Sequence, residues 1–149
     1  LSLAVVIPSL NDAPMLAACL EALAQQTRRP DRIIVVDNGS TDDTVAVAER
    51  AGALVVHEDE RGIPQATLRL DAALREGVDV ACRLDADSVP PADWLARVEA
   101  AFAADAALDA LSGPGEYYGG SPFVHFLGEN VYLGLYNGLV SALSLIHIS

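Results

Sequence analysis

An α/β domain on a largely parallel sheet is the fold class this sequence predicts, and three observations predict it. Short apolar, β-branched runs alternate with stretches of helical periodicity. The longer runs finish in polar turns rich in Asp, Asn, Ser or Gly. The chain has 149 residues, 52% of them hydrophobic, which is enough for one domain with its own core.

The elements follow in order. Residues 3–7 (LAVVI) form a β-branched run that ends at Pro8 and reads as a buried strand. Asn11 or Asp12 can cap the next element, and Pro14 suits a first helical turn. Leu16, Cys19, Leu20 and Leu23 then recur at helical spacing, until Arg28-Arg29-Pro30 breaks the pattern. Residues 33–36 predict a second strand, 41–50 a second helix with Gly52 as its stop, and 54–56 a third strand. Residues 64–76 predict a helix closed by Gly77, and 78–84 a fourth strand. Pro90-Pro91 opens a helix to about Ala104, with Trp94, Leu95, Val98 and Phe102 on one face as core. Residues 108–111 are read as a fifth strand.

Charge and cysteine usage narrow the function classes. The formal net charge is −12, and all nine basic residues are Arg. That argues against a nucleic-acid partner, which needs cations to neutralise phosphates. It leaves room for a nucleotide site in which a metal supplies the positive charge. Cys19 and Cys82 have no Cys/His metal spacing and read as small buried thiols in a reducing, cytoplasmic setting. The first apolar run is too short, and lacks the basic flank, for a signal peptide.

The last part changes character. From residue 122 onward there is no Lys or Arg, and one acid, Glu129. The segment 116–142 is read as an apolar, interfacial helix lying on a membrane surface or against a missing partner segment. Glu129, Asn130 and Asn137 count against a simple transmembrane span. Residues 143–149 resemble translated read-through sequence and are expected to be non-native, with the natural chain continuing elsewhere.

The chemistry gathers at strand ends. Leu84-Asp85-Ala86-Asp87-Ser88 follows the fourth strand, and in an extended chain its two carboxylates point the same way. Such a pair suits a hard divalent cation that in turn holds a diphosphate. Pro8-Ser9-Leu10-Asn11-Asp12 and Asp37-Asn38-Gly39-Ser40 follow the first and second strands. Parallel sheets bind ligands outside these carboxyl ends, so the three turns define one pocket. Asp37 taken alone is an ordinary turn residue. Asp42 reads as serving a helix start, Arg83 as balancing the acidic pair, and His57 as solvated. Neither a G-x-G-x-x-G after the first strand nor a P-loop motif is present.

These stretches resemble family 2 glycosyltransferases with the GT-A fold. The matching residues are Val5-Val-Ile-Pro-Ser-Leu-Asn11, Ile33-Ile-Val-Val-Asp-Asn-Gly-Ser-Thr-Asp42, Arg61-Gly-Ile-Pro64 and Arg83-Leu-Asp-Ala-Asp-Ser88 with Pro91 and Trp94-Leu95. They fall within residues 1–115, the expected nucleotide-sugar-binding domain. The resemblance implies transfer of a sugar, with inversion, from a nucleotide diphosphate, UDP- or dTDP-sugars being favoured, to a saccharide or lipid-linked acceptor. It implies that Asp37 and Asn38 face the nucleobase and that Pro8 and Asn11 line the nucleoside pocket. Gly62 would let the backbone approach the nucleotide. Asp85, with Ala86 beside it, would contact the ribose or metal, and Asp87 would ligate Mg²⁺ or Mn²⁺.

Two departures stand out. Many relatives carry Ala-Arg-Asn where this chain reads Ala66-Thr67-Leu68, so the phosphate-side Arg is missing, with Arg61 or Arg69 as substitutes. The general base of such enzymes lies well downstream of Asp-x-Asp. Here only Glu116 and Glu129 remain beyond the last expected strand, and neither is assigned that role. The alternatives are a nucleotidyltransferase of similar sheet architecture and a catalytically incomplete nucleotide-binding fragment. The first normally needs a Gly-rich, basic loop where this chain has Pro8-Ser9-Leu10-Asn11.

Overall fold

The computed structural model describes residues 1–58 and 77–111, and the chain divides into two compact units, Leu1–Leu108 and Asp109–Ser149. Among the described residues of the first unit are strands β1 (Leu3–Ser9), β2 (Arg32–Asp37), β3 (Leu54–His57) and β4 (Val80–Arg83). Three helices accompany them: α1 (Ala13–Ala24), α2 (Thr44–Arg50) and α3 (Trp94–Ala104). The strands form one parallel sheet in the order β3-β2-β1-β4. The architecture is the α/β arrangement on a parallel sheet that the sequence predicts.

β1 is central because its sequence can be buried on both faces. Leu3, Ala4, Val5, Val6 and Ile7 are wholly inaccessible, as a doubly covered parallel strand requires. Alternation splits them between two cores. Leu3, Val5 and Ile7 join Val35, Val80, Cys82 and the α1 residues Leu16, Cys19, Leu20 and Leu23. Val6 faces the other way, onto Ile34 and Val36. On α3, Leu95 is fully buried, while Trp94, Val98 and Phe102 pack against the larger core. The predicted apolar stripes of both helices therefore meet the same face of the sheet.

The edge opposite the polar turns is pinned by side chains. The Asp79 carboxylate accepts from the Ser2 amide at 2.7 Å, and the Asp31 carboxylate accepts from the Leu3 amide at 2.8 Å. Arg28 pairs with Asp31 at 2.8 Å and with Glu99 at 3.0 Å, tying the α1–β2 connection to α3.

Several boundaries differ from the sequence expectation, each for a local reason. The second helix begins at Thr44 rather than residue 41, because the Asp42 carboxylate binds the Thr44 amide and holds the preceding residues in a turn. The fourth strand is confined to Val80–Arg83: Ser2 fastens its start, and the chain turns after Leu84 donates to the Val6 carbonyl at 3.1 Å. Residues 108–111 form no strand. The Asp105 carboxylate and carbonyl accept from Ala107 and Leu108 and curl the chain, and Leu111 is left half exposed. The expected helix 64–76 and the segments 116–142 and 143–149 lie outside the described residues. Among the described residues no helix is long and apolar enough to cross a membrane.

Leu16 is fully buried where α1 meets the sheet. Leu16→Ala is expected to cost about 2–5 kcal/mol. The check is urea denaturation, in which the midpoint falls and the slope is unchanged.

Candidate functional site

β1, β2 and β3 finish in register. Ser9 stands beside Asp37, and Asp37 beside His57. Two residues earlier the same rows read Ile7, Val35 and Val55, all of which pack in the main core. The pleat therefore carries one face of the sheet from apolar rows to a polar row at its carboxyl edge. The chain runs outward from β1 to β2 and β3 and returns to the other side of β1 with β4. The switch in direction lies between β1 and β4, where an open parallel sheet forms its ligand crevice.

Asp37 is the centre of this row, with 2% of its surface exposed. Its carboxylate accepts from the Ser40 amide at 3.1 Å and lies 3.3 Å from His57 Nδ1. Burial pushes the carboxyl up, but bonds from the Ser40 hydroxyl and amide, His57 and the Gly39 amide outweigh it. Asp37 is thereby held below the ordinary carboxylate range and is an anion at neutral pH. Gly39 takes a φ of +86° in the turn that brings these donors round.

The turn after β1 is laced to the turn after β2. The Asn11 amide donates to Ser40 Oγ at 2.9 Å, and Asn11 Oδ1 accepts from the Thr41 amide at 2.8 Å. Asn11 adopts φ +55°, a left-handed conformation that Asn tolerates better than most residues. Asp42 serves both helix starts, accepting from the Thr44 amide at 3.0 Å and the Ala13 amide at 3.2 Å. Asp12 occupies the N-cap position of α1, but its side chain makes no capping bond, so Asp42 does that work from the neighbouring turn.

β4 ends in a different kind of turn. The Ser88 amide donates to the Asp85 carbonyl at 3.0 Å, and Ala86 is buried between two exposed carboxylates. The strand has already ended at Arg83, so the alternation expected to align Asp85 and Asp87 does not apply. The turn presents them instead, anchored by Ala86 in the core. Arg83 pairs with Asp85 at 3.1 Å, the charge balance expected of it. Cys19 of α1 lies beneath, its thiol directed at the Asp85 carbonyl at 3.9 Å and pushed up to about 11 by burial and by Asp87. Cys82 is likewise pushed up to about 11 by burial, which disfavours the thiolate form in both. The buried Gln26 ties the following segment to α1, donating to the Pro91 carbonyl at 2.7 Å and accepting from the Leu95 amide at 3.1 Å.

Pro8, Asn11, Asp37 and Asn38 are thus gathered at the ends of β1 and β2. Asp85, Ala86 and Asp87 stand at the end of β4, beside β1. Gly62 lies outside the described residues. Ser40, expected only as part of the turn, donates to Asp37 from its amide and hydroxyl, and His57 is exposed as expected while its Nδ1 also meets the buried Asp37. The signal was present in that each apolar run, aligned at its end, gives one polar residue: Ser9, Asp37 or His57. Two buried polar atoms have no partner among the described residues: Ser9 Oγ and Asn38 Oδ1. Buried groups of this kind are ordinarily satisfied, so both have capacity for a ligand or water.

The donor set suits a hard divalent cation held jointly with a ligand. Asp85 and Asp87 offer carboxylate oxygens, and among the described residues no cluster of three or more metal-ligating side chains occurs. Mg²⁺ characteristically uses one or two carboxylates and takes its remaining ligands from substrate phosphates and water.

Parallel sheet, reversal at β1 and acidic carboxyl edge together define a nucleotide-diphospho-sugar transferase fold. A family model, Glycosyl transferase family 2, matches residues 4–137, and the chain belongs to that family. It is 37% identical to a PGL/p-HBAD biosynthesis glycosyltransferase of Mycobacterium bovis, over 64% of this chain and 40% of that protein. It is 36% identical to an uncharacterized glycosyltransferase of Mycobacterium tuberculosis, over 73% of this chain and 46% of the relative. The chain therefore spans less than half the length of these curated relatives. Among solved structures, it resembles a mannosyltransferase from Pyrobaculum calidifontis in complex with GDP-Man and Mn²⁺, with TM-score 0.58 and 32% identity. That match covers 68% of this chain and 32% of the mannosyltransferase. Glucosyl-3-phosphoglycerate synthase from Mycobacterium tuberculosis, in complex with Mn²⁺, UDP and glucosyl-3-phosphoglycerate, matches with TM-score 0.51 and 26% identity, covering 61% of this chain and 36% of that one.

The depressed Asp37 carboxyl fixes the sign of a pH effect. A group whose folded pKa lies below its unfolded value of about 3.8 stabilises the fold above that value and loses the effect as pH falls through the folded one. Asp37→Asn is expected to lower the urea midpoint at pH 7, and its deficit relative to wild type should narrow towards pH 3. Parallel urea titrations of the two proteins at both pH values check this.

Proposed function

We propose that this chain is the donor-binding half of an inverting glycosyltransferase that takes a sugar from a nucleotide diphosphate in the presence of a divalent cation. One observation carries the reading. The groups suited to nucleoside and to diphosphate stand at one carboxyl edge, on either side of the strand where the sheet order reverses. Asp87 and Asp85 hold Mg²⁺ or Mn²⁺. Pro8, Asn11, Asp37 and Asn38 form the nucleoside side, with Gly62 and Ala86 assigned to the same nucleotide-sugar site. Support for the ligand class comes from the relatives crystallised with GDP-Man or UDP and Mn²⁺.

When bound, the cation neutralises charge that builds on the departing nucleoside diphosphate. The chain's own residues hold and orient the donor. Asp37 is saturated by Ser40, Gly39 and His57, so it acts through the groups it fixes. Asn38 has a buried Oδ1 without a partner among the described residues, able to accept an N–H such as the imide of uracil or thymine once the donor brings one within reach. The general base belongs to the acceptor half of the whole enzyme. A saccharide or lipid acceptor of the cell envelope is supported by the mycobacterial relative of PGL/p-HBAD biosynthesis. This reading puts the protein in the cytoplasm, with the apolar segment 116–142 at the inner membrane face.

Calorimetric titration of UDP, dTDP and GDP, with and without Mn²⁺, tests the donor site. One nucleotide is expected to bind in a metal-dependent way, and Asp87→Asn to weaken it at least tenfold. Equal binding by wild type and Asp87→Asn, or binding indifferent to metal, would contradict the proposal.

A further inference from the structure

His57 stands on the carboxyl edge, and the family resemblance gives it no role. Its place is built rather than incidental. It ends β3 in register with Asp37, and the backbone is fixed there by the Glu58 amide donating to the Asp37 carbonyl at 2.9 Å. One edge of the imidazole is held by the buried carboxylate, with Nδ1 3.3 Å from Asp37 Oδ2. The side chain is nevertheless 67% exposed. With Nδ1 turned to Asp37, the exposed edge is the one that carries Nε2. An ionised carboxylate only accepts hydrogen bonds, so the neutral ring must carry its proton on Nδ1. Nε2 is then an acceptor facing outward.

Its distance from the acidic pair indicates what it meets. β4 and β3 are separated by three inter-strand spacings, about 14 Å in all. A donor whose diphosphate lies at Asp85 and Asp87 extends its nucleoside across β1 and β2 towards β3. On the same side, the buried Ser9 Oγ and Asn38 Oδ1 have no partner among the described residues, so hydrogen-bonding capacity is left there.

We propose that His57 is a nucleoside-recognition residue: Asp37 fixes its ring through Nδ1, and Nε2 accepts a hydrogen bond from an N–H of the base or an O–H of the ribose. The inference rests on the donor-site reading above. It assigns Asp37 an indirect role, that of orienting the imidazole.

The test separates the two ring nitrogens. His57→Asn keeps an amide N–H near Nδ1 for Asp37 and removes Nε2, whereas His57→Gln reaches the Nε2 position. UDP, dTDP, GDP and inorganic pyrophosphate are titrated by calorimetry at pH 8 with Mn²⁺ into wild type and both variants. For the nucleotide that wild type binds, His57→Asn is expected to be about three- to tenfold weaker, the worth of one hydrogen bond, with His57→Gln recovering part of the loss. Pyrophosphate affinity is expected to stay unchanged. Wild-type affinity of His57→Asn for the nucleotide would overturn the inference and leave the donor site standing. So would an equal loss for nucleotide and pyrophosphate. A wild-type protein that binds none of the nucleotides would overturn the donor-site reading and this inference with it.

Discussion

The carboxyl edge of this sheet depends on one buried charge. An ionised carboxylate out of water is costly unless hydrogen bonds compensate, and Asp37 is compensated by donors from two separate elements. Ser40 and Gly39 reach it from the following turn, and His57 from the next strand. Ser40 in turn accepts from Asn11, and Asn11 from Thr41. The ends of β1, β2 and β3 are therefore linked by consecutive bonds through a single anion. Charge, turn conformation and loop spacing are one constraint here: a change at any of them leaves the carboxylate partly unsatisfied.

The sheet beneath makes that edge usable. A central strand inaccessible along Leu3–Ile7 fixes its neighbours in parallel, so all strand ends face the same way. The rows below the edge are apolar and packed, which gives the polar row a rigid base. Asp42, with oxygens for both the α1 and α2 starts, adds rigidity between the turns. At the far side, Ala86 and Cys19 anchor the acidic turn in the same core, so the two sides of the crevice share one scaffold. A site assembled this way is preorganised, which lowers the ordering cost of binding.

The fold was legible because the apolar runs are short, β-branched and separated by clear turn chemistry. Leu16, Cys19, Leu20 and Leu23 are buried together as their spacing predicts. Sequence reasoning failed where side chains override local pattern. The Asp42 carboxylate holds the chain in a turn up to Thr44 and shortens the second helix, and Asp105 curls the chain ahead of residues 108–111, which pattern alone would make a strand. The site was half legible. Asp37, Asn38 and the Asp85–Asp87 pair announce themselves as polar turn residues. Strand alternation does not reach the acidic pair, because the strand stops two residues before Asp85 and a turn follows. The pairing of His57 with Asp37 comes from strand register, a long-range fact that no local window contains.

The central claim is that one edge of the sheet, and not the acidic surface in general, receives the metal–nucleotide. Paramagnetic broadening of backbone amide signals by Mn²⁺ in the presence of UDP or GDP tests it directly. The account predicts the strongest broadening at Ala86, Asp87 and Ser88, with Ser2, Asp31 and Asp79 at the opposite edge unaffected. Broadening centred on Asp31 and Asp79, or spread evenly over the acidic side chains, would contradict it.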